Sequence, residues 1–173
     1  EREELTRALY DMQKDGRLPL RVTHNDTKLN NIMIDDKTGK AVCVIDLDTV
    51  MPGLAANDFG DSIRFGASTA LEDERDLSKV SCNLHLFDVY AKGFIEGCGG
   101  ALTELEIETL PLGAILMTFE NGIRFLTDYL EGDHYFKIHR EGHNLDRCRT
   151  QLTLVKDMQE KLPEMNEIIK KYK

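Results

Sequence analysis

RVTHNDTKLNNIMIDDKTGKAVCVIDLD, residues 21–48, is the stretch around which the rest of the chain is arranged. Arg21-Val22-Thr23 is extended and β-branched, whereas His24 to Asn30 is too polar for a strand. Asn31-Ile32-Met33-Ile34 resumes with a compact apolar run. Asp35-Asp36-Lys37-Thr38-Gly39-Lys40 is built from residues that tolerate tight turns. Ala41-Val42-Cys43-Val44-Ile45 reads as a second strand of buried type, with Asp46 and Asp48 at its C-terminal end. The pattern predicts a β-hairpin that gathers Asp26, Asn31, Asp46 and Asp48 at one end of a small sheet.

The spacing carries chemistry. Protein kinases use H-R-D-x-x-x-x-N, in which the Asp accepts the substrate hydroxyl proton and the Asn binds Mg²⁺; a later Asp in a D-F-G segment also holds metal. Here His24-Asn25-Asp26 stands for the first triplet, Asn31 for the Asn, and Ile45-Asp46-Leu47-Asp48 for the metal segment. Asn25 replaces the arginine that answers to activation-loop phosphorylation in protein kinases. Asp58-Phe59-Gly60 is a D-F-G by letters only, because no strand precedes it. H-x-D-x-x-x-x-N followed by I-D-x-D resembles the aminoglycoside phosphotransferase and choline kinase group, small-molecule kinases with a protein-kinase-like fold. Within that group, IDLDTVMPG followed by NDFGDSIRFG is most similar to the N-acetylhexosamine 1-kinases.

The resemblance implies ATP and Mg²⁺ as cofactors, Asp26 as the catalytic base, and Asn31 and Asp46 as metal ligands. His24 is expected to brace the loop and Lys28 to approach the transferred phosphate. Asp48 is expected to serve as a second metal ligand or a hydroxyl acceptor. Asp58 matches the Asp that recurs shortly after I-D-x-D, and Asp58 or Asp61 is expected to hold the catalytic loop through its amides. In sugar 1-kinases of this type the E-x-x-I-R-F-L-T-D-Y-L segment and the following D-x-Y-F line the sugar pocket. Arg124 and Tyr135 are therefore the expected substrate contacts; the bland alternative pairs Arg124 with Glu120 at i, i+4.

Composition limits the remaining classes. At 173 residues the chain is long enough for a real core and suggests one domain. A net charge of −9 argues against a non-specific nucleic-acid partner, which needs basic surface. No apolar run reaches the ~20 residues that span a bilayer, so no membrane partner is expected. Cys43, Cys82, Cys98 and Cys148 lie far apart with no C-x-x-C, and the first, second and fourth fall on apolar positions. Buried free thiols in a reducing cytoplasm follow from that pattern.

Taken in order, Glu1 to Lys14 reads as a helix with Leu5, Ala8, Leu9 and Met12 on one face. Met51-Pro52-Gly53 reads as a turn, and Asn57 to Asp61 as the cap of a helix through Ile63 and Phe65. Thr69-Ala70-Leu71-Glu72 and Thr103-Glu104-Leu105-Glu106 both have the form of capping boxes opening long helices. The first of these helices runs to the Gly97-Cys98-Gly99-Gly100 stop, and Pro111 is expected to kink or divide the second. His134, His139 and His143 read as a solvent-facing loop rather than a zinc site. A helix from Asn144 to Lys161 and a short one from Glu164 to Tyr172 close the chain. The predicted class is mainly α with a small β-hairpin sheet, the C-terminal lobe of a protein-kinase-like phosphotransferase. Nothing before Arg21 has the makings of a nucleotide-covering N-terminal lobe. The expected partners are thus a small-molecule substrate, a sugar first, and the missing lobe of the same protein. Within the kinases, choline and aminoglycosides remain open as acceptors. A two-metal phosphoesterase and a non-catalytic binding module are the alternatives from other classes.

Overall fold

The computed structural model describes residues 3–173, and six α-helices, three short 3₁₀ turns and four short strands make up their regular structure. α1 (Glu3–Lys14) leads into β1 (Arg21–Thr23). The polar loop from His24 follows, then β2 (Ile32–Ile34), β3 (Ala41–Val44) and β4 (Met51–Gly53). The helices α2 (Ala55–Gly66), α3 (Leu84–Gly97), α4 (Glu104–Glu131), α5 (His143–Glu160) and α6 (Leu162–Lys170) complete the chain. None of these helices is long and apolar enough to cross a membrane.

The mainly helical class with a small β component is as the sequence predicts. The hairpin forms as expected, with Ile32 opposite Val44 and Met33 opposite Cys43. Met51-Pro52-Gly53 is not a free turn: it is β4, paired antiparallel to β1 with Val22 opposite Pro52. Two separate two-stranded ribbons result, and they bracket the loop that carries Asp26. The hairpin strands are not buried either. Val42 is 65% exposed, Val44 52% and Met33 53%, and Cys43 is exposed with them. Their apolar pattern is a request for cover that the helical body does not answer, because the hairpin projects from it. Cys82 and Cys148 are buried free thiols, as the pattern predicts, and burial pushes Cys82 up to about 11.

The core is organised by α4 against α2. Gly60 and Gly113 let the two backbones touch: a Cβ on Gly60 would lie 2.2 Å from the Gly113 carbonyl oxygen, and one on Gly113 would lie 2.1 Å from that of Ala56. Phe59 on α2 then packs edge-on against Phe87 and Phe94 of α3, with ring centroids 5.6 and 5.3 Å apart. α5 and α6 close the other side of α4 with Leu154, Val155, Met158 and Met165, all fully buried.

Three helix boundaries differ from the sequence reading. The Thr69 box does not form, because the Thr69 hydroxyl donates to the Lys79 and Ser81 carbonyls (2.6 and 3.0 Å) and Glu72 is taken by Arg64. Helix α3 starts instead at Leu84, where the Asn83 side chain accepts the amides of His85 and Leu86. Asn57 to Asp61 lies inside α2 rather than capping it. Helix α4 runs through Pro111 unbroken for 28 residues, since packing on both flanks outweighs one lost hydrogen bond. The Thr103–Glu106 box is complete in both directions.

Candidate active site

Asp26 sits in a loop whose shape is imposed by α2. Asp58, in the first turn, and Asp61, one turn on, share the helix face that meets the loop. Asp58 accepts the amides of His24 and Asn25, both at 2.8 Å, and Asp61 accepts that of Thr27 at 2.9 Å. The Thr27 hydroxyl donates to the Asp58 carbonyl, and Ser62 donates to the Thr27 carbonyl. Asn25 thereby holds a left-handed backbone (φ 64°), with its side-chain amide donating to the Thr23 and Thr49 carbonyls. Both Asp58 and Asp61 hold the loop, where the sequence left a choice between them. Burial pushes the Asp58 carboxyl above the ordinary range, against the pull of its two amides.

His24 braces the loop through its ring. Nδ1 accepts the Asp26 amide (3.3 Å), so Nε2 carries the proton and donates to the Ile45 carbonyl (3.0 Å). That bond ties the loop to the residue preceding Asp46. The Asn31 side chain, buried, donates to both the carbonyl and the carboxylate of Asp26 (2.8 and 2.9 Å). Lys28 Nζ lies 3.2 Å from the other Asp26 oxygen. Asp46 also takes a left-handed backbone (φ 66°), which Asp tolerates, and leads into a 3₁₀ turn at Leu47–Thr49. Asp48 beside it, and Asp26 beyond, hold the Asp46 carboxyl above the ordinary range, while Lys28 relieves part of that repulsion.

The residues nominated as metal ligands offer oxygen donors, which suit a hard cation. Among the described residues no three His, Cys, Asp or Glu side chains stand close enough to hold a metal by themselves. Mg²⁺ asks for less: it is held by one or two carboxylates and fills its shell with water and substrate phosphates. Asp46 supplies an under-neutralised carboxylate. Asn31 has its amide nitrogen committed to Asp26, which leaves the amide oxygen as its donor.

A cleft of about 760 Å³ opens from Asp26 and Lys28 and ends at Arg124, Tyr135 and Phe136. The two sequence-predicted substrate residues therefore share a cavity with the predicted base. Asn31, Asp46, Asp48 and Asp58 stand outside its walls, beside or behind Asp26. Arg124 turns to Tyr135, not to Glu120: Nη2 is 3.4 Å from the phenol oxygen, and the guanidinium lies 5.8 and 5.5 Å from the Tyr135 and Phe136 rings. Arg64 joins Asp61 to Glu72 on the cleft's side wall as a structural partner. The three histidines are not uniformly solvent-facing. His143 is buried, with Nε2 3.1 Å from Asp73 and Nδ1 accepting the His139 amide. Arg147 was not legible as a site residue; Phe125 and Phe136 were signalled only by standing next to Arg124 and Tyr135 in the E-x-x-I-R-F-L-T-D-Y-L and D-x-Y-F segments.

The sequence model of the phosphotransferase enzyme family, APH, matches residues 1–79 of this chain. The matched part takes in Asp26, Asn31, Asp46 and Asp58 and ends before Arg124. It supports a phosphotransferase of the kinase-like class, in keeping with the mainly helical fold. The part of the cleft formed by Arg124, Tyr135 and Phe136 lies outside the match.

Proposed function

We propose that this chain carries the acceptor side of an ATP-dependent phosphotransfer to a small-molecule hydroxyl, with a sugar as the substrate class. The observation that carries the reading is the clamped Asp26. Its carboxylate is oriented by the buried Asn31 amide, and it looks into a cleft whose far end offers a guanidinium and an aromatic ring. In that cleft an acceptor hydroxyl gives its proton to Asp26 as its oxygen attacks the γ-phosphorus in line; the bond to the ADP oxygen breaks as the new one forms. Mg²⁺, held by Asn31 and Asp46, would neutralise charge on the phosphates. Lys28 stands where it can touch the transferred group, and Asp48 is left as a further oxygen donor. Positioning and charge neutralisation supply most of the rate, since the transition state is loose.

The cleft's lining carries both signs, with Arg124, Lys137 and Arg147 alongside Glu72 and Glu120, and such a polar, mixed wall suits a neutral polyhydroxylated acceptor such as a sugar. Choline, which suits an aromatic cage, finds no tryptophan in the chain. An N-acetylhexosamine offers hydroxyls and a carbonyl to Arg124 and a ring face to Tyr135. A nucleotide-covering lobe of the same protein is part of the proposal. The apolar hairpin side chains Met33, Ile34, Val42 and Val44 supply its support, being about half exposed or more beside the catalytic loop.

The test is Mg²⁺-dependent ATP consumption by the full-length protein. The acceptors are N-acetylglucosamine, N-acetylgalactosamine, glucose, choline and kanamycin, with Asp26→Asn as control. Turnover with a sugar that disappears in the control is the expected result. Turnover with choline or kanamycin alone would discard the sugar assignment, and phosphate release without any acceptor would favour a phosphoesterase.

A further inference from the structure

The wall formed by Tyr135 and Phe136 is not built by the segment that carries them. Between α4 and α5 the chain is irregular from Gly132 to Gly142. Tyr135 is 73% exposed, so packing gives its ring little hold. Its place is set by the backbone on either side, and that backbone is gripped by Asp128, a buried carboxylate in the last turn of α4. Asp128 Oδ1 accepts the amides of His134 and Tyr135 (2.9 and 2.8 Å). Oδ2 accepts the amide of Phe136 (2.9 Å) and the side-chain amide of Asn144 (2.8 Å). Asn144, fully buried, also donates to Asp133 Oδ1 and accepts from Arg147 Nη1 (2.8 and 3.0 Å). The Arg147 guanidinium in turn lies 5.4 Å from the Phe125 ring, whose centroid is 4.7 Å from that of Phe136.

Three successive backbone amides and one side-chain amide saturate this carboxylate. Bonds to an ionised acceptor are the strong ones. Burial alone would raise Asp128; the Phe136, Tyr135 and His134 amides outweigh it and hold the carboxyl below the ordinary range. A group so fully committed has no lone pair to offer a ligand, and what it fixes is the face of the loop that meets Arg124.

We propose that Asp128 is a positioning residue for acceptor recognition: through the 134–136 backbone it holds Tyr135 against Arg124 and so sets which acceptors the cleft takes. The inference rests on the phosphotransfer reading above and adds a residue to it that never touches substrate.

Asp128→Asn is the test, because it keeps the shape and changes one acceptor into a donor. Whichever way the amide turns, two of the four donors around it face an N–H. In the full-length protein with N-acetylglucosamine, the acceptor KM is expected to rise about tenfold, while kcat and the KM for ATP stay within about twofold. The Asp128→Asn/Tyr135→Phe double variant is expected to be no worse than the more impaired single one, since both act on the same contact. An unchanged acceptor KM, or a parallel loss in kcat and both KM values, would overturn the proposal. If the wild-type protein phosphorylates no acceptor in the panel, the phosphotransfer reading fails separately. Amide hydrogen exchange of residues 134–136 then decides: acceleration of about tenfold or more confined to that segment upholds Asp128 as the residue that sets the loop, and unchanged exchange there overturns it.

Discussion

The two ends of the cleft are held by the same device used to different extents. At the Asp26 end Asp58 accepts two consecutive backbone amides, those of His24 and Asn25; at the Arg124 end Asp128 accepts three, those of His134, Tyr135 and Phe136. Both carboxylates are withdrawn from water, and the balance tips in opposite directions. With two amides, burial wins and the Asp58 carboxyl is raised; with three, the amides win and Asp128 is lowered. In each, burial and the converging donors pull in opposite directions, and the balance between them sets how easily the carboxylate is protonated.

The largest expected effect separates the ends by chemistry. Asp26→Asn should lower kcat by roughly 10²–10⁴ with little change in acceptor KM, because it removes the proposed base and leaves the far wall intact. A steady-state kinetic comparison with Asp128→Asn, which is expected to do the reverse, checks it. Parallel effects in the two variants would erase the distinction between the ends.

Next comes a substitution that breaks both at once. Gly113→Ala forces the α2–α4 contact apart, since its Cβ has no room against the Ala56 carbonyl. Overpacking of this kind costs about 1–3 kcal/mol and occasionally more. Because α2 carries Asp58 and Asp61 while α4 carries Arg124 and Asp128, chemical denaturation should show the loss of stability and kinetics should show impairment of both kcat and acceptor KM. Asp58→Ala is more local: it orphans the His24 and Asn25 amides, a penalty of about 1–3 kcal/mol. Its kinetic signature should be a fall in kcat with the acceptor KM held, measured beside the same unfolding curves.

The smallest effects are the pH slopes, and their signs are opposite. Asp58 has a folded pKa above its unfolded value, so its contribution is full at pH below the unfolded value and is lost as pH rises through the folded one. Asp128 has a folded pKa below its unfolded value, so its contribution is present above that value and is lost as pH falls through the folded one. His143 behaves like Asp128 at a higher pH. Burial and Arg147 lower it against the pull of Asp73, so acidification below about 6.5 should destabilise the protein. Thermal unfolding followed across pH checks each slope, which should vanish in Asp58→Asn, Asp128→Asn and His143→Gln respectively.

The grouping around Asp26 was legible because its residues are local in sequence. Asp26, Asn31 and Asp46 fall within one loop and one hairpin, and the turn at Asp35–Lys40 fixes how they meet. Even the clamp was partly readable, since Asp58 and Asp61 stand at i, i+3 on one helix. The Arg124 end was only half legible. Arg124 and Tyr135 were singled out through resemblance, but their mutual contact depends on a turn of the chain between two helices. Asp128 falls inside the quoted E-x-x-I-R-F-L-T-D-Y-L segment, but its clamping role was not legible, because an acidic residue near a helix end ordinarily reads as a solvated one. The Thr69 box failed for a related reason: local capping preference was overridden when distant carbonyls and Arg64 claimed its two side chains.

The sequence by itself determined the helical periods, the hairpin and the spacing of base and metal-ligand candidates, all of which depend on neighbours a few residues away. Only the tertiary structure decided that β4 pairs with β1, that the hairpin's apolar strands stand exposed, and that α4 passes through Pro111 without breaking. It also decided that Gly60 and Gly113 meet, and through that contact which carboxylates of α2 and α4 are turned on the two loops of the cleft. These outcomes rest on burial and on hydrogen-bond donors brought together from remote positions, and no local preference encodes them.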